Sequence, residues 1–282
     1  MKIPRPILKK EITIGRFSIP IRVYGNSEPT IVCLNGAQQS MAMWHSFIAH
    51  FSSTYQVALF DFPGRGKARF LTGPTSFNLE DEIDILKGVI TAVKPDSDVI
   101  VCTASWGGVI ALAFATRYPE KVKRLVLGSI GTRPNKRMIE TIQKGIATNT
   151  NNRSEMAEIL IESFGQNLPT KIKDMIMVQF RSMSEENIKA FSEHGLFVLS
   201  AKNLTDLVDL KKVKAETVIF RGEHDTIIDS EDVDFLASQI PHCIAKTVDN
   251  VGHFMHLETE HIFDSYRDAF EGKFFETVLR ET

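Results

Sequence analysis

Ser105, Asp225 and His253 occur in an order that could do acyl-transfer chemistry. A serine hydroxyl attacks a carbonyl carbon efficiently only if a base takes its proton, and a carboxylate must orient that base and steady its charged form. Ser105 stands in Val99-Ile-Val-Cys-Thr-Ala-Ser-Trp-Gly-Gly-Val-Ile-Ala-Leu-Ala-Phe-Ala-Thr-Arg117, which reads as a β-branched strand, a small-residue corner and an alanine-rich helix. A sharp strand-to-helix turn of this kind lifts one side chain above a sheet and needs small neighbours. Gly107 and Gly108 provide them downstream, while Thr103 occupies the place of the first glycine in G-x-S-x-G. The bland alternative is a helix N-cap at Ser105.

The other two members follow later strands. Thr217-Val-Ile-Phe220 leads into Arg-Gly-Glu-His-Asp225, and a strand expected over 245–248 leads into Asp249-Asn-Val-Gly-His253-Phe-Met-His-Leu-Glu258. The chain order Ser, Asp, His is one of the known arrangements of this constellation. Asp229 competes with Asp225, but the Gly-x-x-Asp spacing favours Asp225. Asp61 also follows a strand; because the elbow holds Ser105, it reads as structural. His256 could share a metal with His253, yet no carboxylate or cysteine cluster completes a ligand set, so neither metal nor cofactor is expected. His45, His50 and His224 read as structural or loop residues. The oxyanion of a tetrahedral intermediate needs fixed donors. The expected ones are the backbone amides of Trp106 and of Ala37, in the loop Asn35-Gly36-Ala37-Gln38.

The elements that must carry these groups alternate along the chain. An antiparallel hairpin is expected over Glu11 to Tyr24 around Gly15, then a buried strand at Ile31 to Leu34 and a helix from about Ala42 to Phe51. A strand at Tyr55 to Phe60 precedes the turn Asp61-Phe-Pro-Gly-Arg-Gly66. Asn78 is placed to cap a helix with apolar positions Ile83, Leu86, Val89, Ile90 and Val93, which Pro95 closes. After the elbow, a short strand is expected at Leu125 to Leu127. This alternation points to a mostly parallel sheet with helices on both faces. Between Gly131 and about Lys214 the rhythm gives way to helices rich in methionine and phenylalanine, an insert that reads as a cap. The domain reading is therefore a core of residues 1–132 and 215–282 with a helical cap over 133–214. Most of the cap's Met and Phe positions read as its own packing; the rest could line an apolar tunnel suited to an alkyl chain.

Composition narrows the function classes. The chain of 282 residues carries 33 Lys plus Arg against 35 Asp plus Glu, a net charge of -2 that gives no support for nucleic-acid binding. No stretch approaches transmembrane length, and the proline-containing start lacks the apolar run of a signal peptide. Three cysteines, an odd number without short-range pattern, suit a reducing cytoplasm better than a disulfide frame.

Several segments taken together resemble one branch of a known family. These are Leu34-Asn35-Gly36-Ala37, Leu59-Phe60-Asp61-Phe62-Pro63, Asp81-Glu82-Ile83-Asp84-Ile85-Leu86, Ala104-Ser105-Trp106-Gly107-Gly108, Pro241-His242-Cys243 and Gly252-His253-Phe254. They look like the 3-hydroxyacyl transferase branch of the α/β-hydrolases, which includes the rhamnosyltransferase-associated synthases of rhamnolipid precursors and the 3-hydroxyacyl-acyl-carrier-protein to coenzyme A transacylases. The resemblance implies an α/β-hydrolase fold with a helical cap, and a serine-dependent acyltransferase. Such an enzyme would take a 3-hydroxyacyl thioester, carried on acyl carrier protein or coenzyme A, and make 3-(3-hydroxyalkanoyloxy)alkanoic acids. The turn after Asp61 is closer to ordinary hydrolases. Transacylation to coenzyme A and ester or thioester hydrolysis are the alternatives, and a non-catalytic small-ligand receptor on the same fold is a third. Asn35, Arg65 and Lys67 are expected to serve substrate or partner binding. Arg65 and Lys67 would form, with Arg69, Arg133, Lys136 and Arg137, a local positive patch for an acidic carrier.

Overall fold

The computed structural model describes residues 3–37, 39–148, 152–200 and 203–278. Gln38 of the expected oxyanion loop and the extreme ends of the expected core domain lie outside them. The described strands join one sheet: β1 (Leu8–Ile14), β2 (Phe17–Tyr24), β3 (Thr30–Leu34), β4 (Gln56–Phe60), β5 (Arg69–Phe70), β6 (Val99–Ala104), β7 (Val122–Gly128), β8 (Glu216–Gly222) and β9 (Cys243–Val248). Their spatial order is β1-β2-β4-β3-β6-β7-β8-β9, with β5 on β2. The β1–β2, β2–β4 and β2–β5 pairs are antiparallel, and from β4 to β9 every pairing is parallel.

The helices are α1 (His45–Phe51), α2 (Leu79–Val93), α3 (Gly107–Arg117), α4 (Lys136–Ala147), α5 (Arg153–Phe164), α6 (Thr170–Ser182), α7 (Glu185–Ser200), α8 (Leu204–Leu207), α9 (Ser230–Gln239), α10 (Met255–Glu258), α11 (Ile262–Glu271) and α12 (Lys273–Val278). Strand side chains alternate between faces, so each buried strand feeds two cores. Val32, Leu34, Val101, Leu125, Leu127 and Ile219 pack with α2, α3 and α9. Ile31, Cys33, Ile100, Cys102, Val126 and Val218 face the other way, onto Phe47, Phe51, Phe263 and Phe270 of α1 and α11. Burial on both faces explains why these strands read as continuous apolar runs.

Local signals account for the element ends. Asn78 caps α2 and Asp81 answers with its own carboxylate, a reciprocal box worth about 1 kcal/mol. The helix expected from Ala42 is split: Met41–Trp44 forms a 3₁₀ turn before α1. Ser40 makes no side-chain cap there, and the Met41 amide is held by Asp61 Oδ1 at 2.7 Å. Elements that escaped the sequence reading include α9, α11, α12 and the short strand β5. The buried positions of α11, Ile262, Phe263, Tyr266, Ala269 and Phe270, recur at helical spacing behind no strong start signal.

Between β7 and β8 the chain leaves the sheet for α4 to α8, yet those two strands pair directly. The excursion is therefore an insertion over an unbroken sheet. Its start is tied to the core by Asp232 of α9, whose Oδ2 accepts from the Thr132 amide at 2.6 Å and the Arg133 amide at 3.3 Å. Met156, Ala157, Phe180 and Ile188 form a small cluster of its own, while Val198 and Leu204 join the larger core.

Candidate active site

The chain runs from β3 outward to β4, then returns to the far side of β3 as β6. Loops leaving the carboxyl ends of β3 and β6 therefore diverge, opening the crevice where α/β sheets bind ligands. Ser105 occupies the turn between β6 and α3 with φ +48°, a left-handed conformation costly for a residue with a side chain. A glycine is obligatory two residues on: a Cβ on Gly107 would lie 2.8 Å from the Asn35 carbonyl and 2.9 Å from that of Leu34. Thr103 is accommodated because its side chain turns inward, fully buried in β6.

His253 and Asp225 meet from separate loops, with His253 Nδ1 2.9 Å from Asp225 Oδ2. The other carboxylate oxygen accepts from the backbone amides of Ile227 at 2.9 Å and Ile228 at 3.2 Å. Burial by itself would raise the Asp225 carboxyl, but attraction to His253 and these hydrogen bonds outweigh it, and the group titrates below its ordinary value. Asp229, the competing acid, instead accepts from Asn135 Nδ2 at 3.0 Å. The end of β8 and the loop after β9 approach so closely that a Cβ on Gly222 would meet the Gly252 carbonyl at 2.2 Å.

Ser105, His253, Ala37 and Trp106 line one cavity of about 190 Å³, over ten times the roughly 10–15 Å³ one water needs. The backbone amides of Ala37 and Trp106 donate to no acceptor among the described residues. Opposite them the wall is apolar and comes largely from the insertion: Met138, Ile142, Met156, Ile159, Phe164 and Phe180. Among the described residues no group of three or more His, Cys, Asp or Glu side chains could hold a metal ion, and no helix is long and apolar enough to cross a membrane.

An established family accounts for this arrangement of sheet, turn and loops, since residues 29–260 match the alpha/beta hydrolase fold. The chain belongs to the α/β-hydrolase family. It is 23% identical over 259 residues to the (R)-3-hydroxydecanoyl-ACP:CoA transacylase of Pseudomonas aeruginosa, covering 90% of this chain and 85% of that one. It is 24% identical to the proline iminopeptidase PfmaB of Pestalotiopsis fici, over 88% of this chain and 93% of that one. Among solved structures, a thermophilic esterase from Thermogutta terrifontis superposes with a TM-score of 0.78 at 19% identity, over 93% of this chain and 97% of the esterase. The last likeness speaks to the fold.

Two expected binding residues need correction. Asn35 is 1% exposed and its amide is spent inside the fold: Nδ2 donates to the Phe60 carbonyl at 2.9 Å, and Oδ1 accepts from Trp44 Nε1 at 2.8 Å. It braces the β3 loop against β4 and does not line the cavity. Arg65 is 6% exposed, turned in toward the carboxylates of Glu82 and Asp61 and over the Phe77 ring, so it cannot present charge to a partner. Of that expected patch, Arg69 is paired with Glu11 at 2.6 Å and Lys136 lies 3.8 Å from Glu140; Lys67 and Arg133 are exposed. Asp61 is buried under the amides of Met41 and Lys67, and burial pushes it up to about 6. His256 stacks on Trp44 with ring centroids 4.6 Å apart, and burial pulls it down to about 4.

Three supports went unread in the sequence. Ser129 Oγ donates to the His253 carbonyl at 2.7 Å. Glu258 brackets the same residue, accepting from the Gly252 amide at 2.5 Å and the Phe254 amide at 3.0 Å. Glu82, wholly buried in α2, accepts from the indole nitrogen of Trp106 at 2.9 Å and is pushed up to about 7 by burial. Its signal was present: a glutamate three positions after Leu79 and four before Leu86 lies on the apolar face of its helix.

Proposed function

We propose that this protein is a serine-dependent acyltransferase acting on 3-hydroxyacyl thioesters carried on acyl carrier protein or coenzyme A. Ser105 Oγ attacks the thioester carbonyl while its proton passes to Nε2 of His253, the ring nitrogen not facing Asp225. The amides of Ala37 and Trp106 hold the resulting oxyanion, each such donor being worth about 2.7–4 kcal/mol of barrier. Collapse forms the Ser105 ester and expels the thiol, which takes the proton from His253. A hydroxyl of a second 3-hydroxyacyl unit then gives its proton to His253 and attacks the Ser105 ester; collapse breaks the bond to Ser105 Oγ, which takes that proton back from His253 and releases the new ester. No cofactor enters this cycle.

The observation that carries this reading is the meeting of Ser105 and the His253–Asp225 pair with a cavity walled by apolar side chains of the insertion. Such a cavity suits an alkyl chain, which on binding would displace the water that could otherwise divert the acyl-enzyme to hydrolysis. The 23% identical relative, whose name specifies transfer from an acyl-carrier protein to coenzyme A, supports a thioester donor and makes coenzyme A the second candidate acceptor.

Incubation with 3-hydroxydecanoyl carrier protein, with and without coenzyme A, followed by mass analysis of products, tests the proposal. A dimeric hydroxyacyl ester is expected. Acyl-coenzyme A would move the assignment to transacylation, and free acid alone would move it to hydrolysis.

A further inference from the structure

His194 on α7 sits in the cavity wall with its side chain 2% exposed, and neither ring nitrogen has a hydrogen-bond partner among the described residues. A buried polar atom left unsatisfied costs about 1–3 kcal/mol, so two on one ring call for an explanation. The imidazole is boxed by aromatic rings: Phe77 stacks at 6.0 Å, and Trp106 and Phe197 approach at 5.2 and 6.2 Å. Its Nε2 lies 3.8 Å from Oε1 of Glu82, too far for a hydrogen bond, and that oxygen is itself unpartnered. The remaining Glu82 oxygen accepts from Trp106, the residue after the nucleophile.

Resting on the reading of the cavity as an acyl site, we propose that His194, backed by Glu82, binds a hydroxyl group borne by the acyl chain near its reacting carbonyl. A hydroxyl both donates and accepts, which matches an imidazole carrying one N–H and one lone pair. A ligand carboxylate would meet Glu82 at close range, and an ammonium would enter a pocket where Arg65 already faces that carboxylate. The site is near the chemistry because His194 touches the Trp106 ring, one residue from Ser105. His194 is thus a specificity residue on the insertion, completed by a carboxylate on the core.

Calorimetric titration of the Ser105→Ala protein with methyl 3-hydroxydecanoate and methyl decanoate tests this. Neither probe carries a thioester or a carrier, so failure of acyl transfer would not affect the readout. The hydroxy ester is expected to bind about tenfold tighter, the value of one well-made hydrogen bond. Adding His194→Phe, which keeps the aromatic packing, should bring the ratio near one while decanoate affinity holds or rises. Glu82→Gln, which still accepts from Trp106, should lower the ratio partway and gives a second reading if His194→Phe does not fold. Equal affinities in the Ser105→Ala protein, no binding of either ester, or a ratio unmoved by both substitutions would overturn the proposal.

Discussion

The carboxyl edge of the sheet and the helical insertion face each other across one cavity, and they are stabilised differently. At the sheet edge the groups proposed to react are held from several directions: Asp225 by two backbone amides and His253, and the His253 segment by Ser129 and Glu258. The insertion's own cluster has four buried side chains, and Met175, Val178 and Leu196 on its helices are exposed. Chemistry tolerates little displacement of its groups, whereas an apolar wall need only be apolar and of suitable size. Rigid polar geometry on one side and pliable Met and Phe packing on the other is how one fold keeps a mechanism while changing its ligand.

The sharpest test of the sheet side is loss of its reacting groups. Ser105→Ala and His253→Ala should each lower kcat by about 10³–10⁶-fold, and Asp225→Asn by about 10²–10⁴-fold. Circular dichroism melts close to the parent would show that the fold survives. Near-normal turnover in folded Ser105→Ala would break the contrast at its root, because the edge would then carry no chemistry.

Truncating one phenylalanine on each side compares the two regions directly. Phe263 is fully buried among Phe47, Phe51 and Tyr266, away from the cavity, so Phe263→Ala should cost about 3–5 kcal/mol in urea unfolding. Phe180 is 3% exposed yet borders the cavity, and its removal enlarges existing space. Phe180→Ala should therefore cost about 1.5–3 kcal/mol and shift preference toward longer acyl chains, read as kcat/KM across a chain-length series. A large stability loss with an unchanged chain-length profile would make the insertion a structural lid.

The same division governs what was legible in the residues. Strand and turn chemistry is local: the β-branched runs, the small corner at Gly107 and Gly108, and Asn78 followed by Asp81 each announce themselves within a few positions. The sheet, the cap of α2 and the loops bearing Ser105, Asp225 and His253 could be read from such signals. Contacts made across the fold could not. Asn35 and Arg65 look like polar loop residues beside a site, and only tertiary structure turns them inward, onto Trp44 in one case and Glu82 in the other. His194 lies over a hundred positions from its carboxylate, and although it falls at helical spacing with the buried Ala190 and Val198, nothing local in the sequence names that partner.

The smallest expected effect concerns the surface. Of the cations expected to meet an acidic carrier, Lys67 is exposed while Arg65, two residues away, is interior. Reversal at each should therefore fail differently. Lys67→Glu removes a charge acting through solvent, so it should raise KM for a carrier-bound substrate by about two- to fivefold and leave a short pantetheine thioester unaffected. Raising salt from 0.1 to 1 M shortens the screening length from about 10 to 3 Å and should erase the difference. Arg65→Glu would bury a third carboxylate beside Glu82 and Asp61, so both substrates should suffer together with the melting temperature, whatever the salt. If Lys67→Glu instead impaired both substrates equally at high salt, the loop would act on the cavity itself. Carrier docking would then have to rest on Arg133 and the start of the insertion.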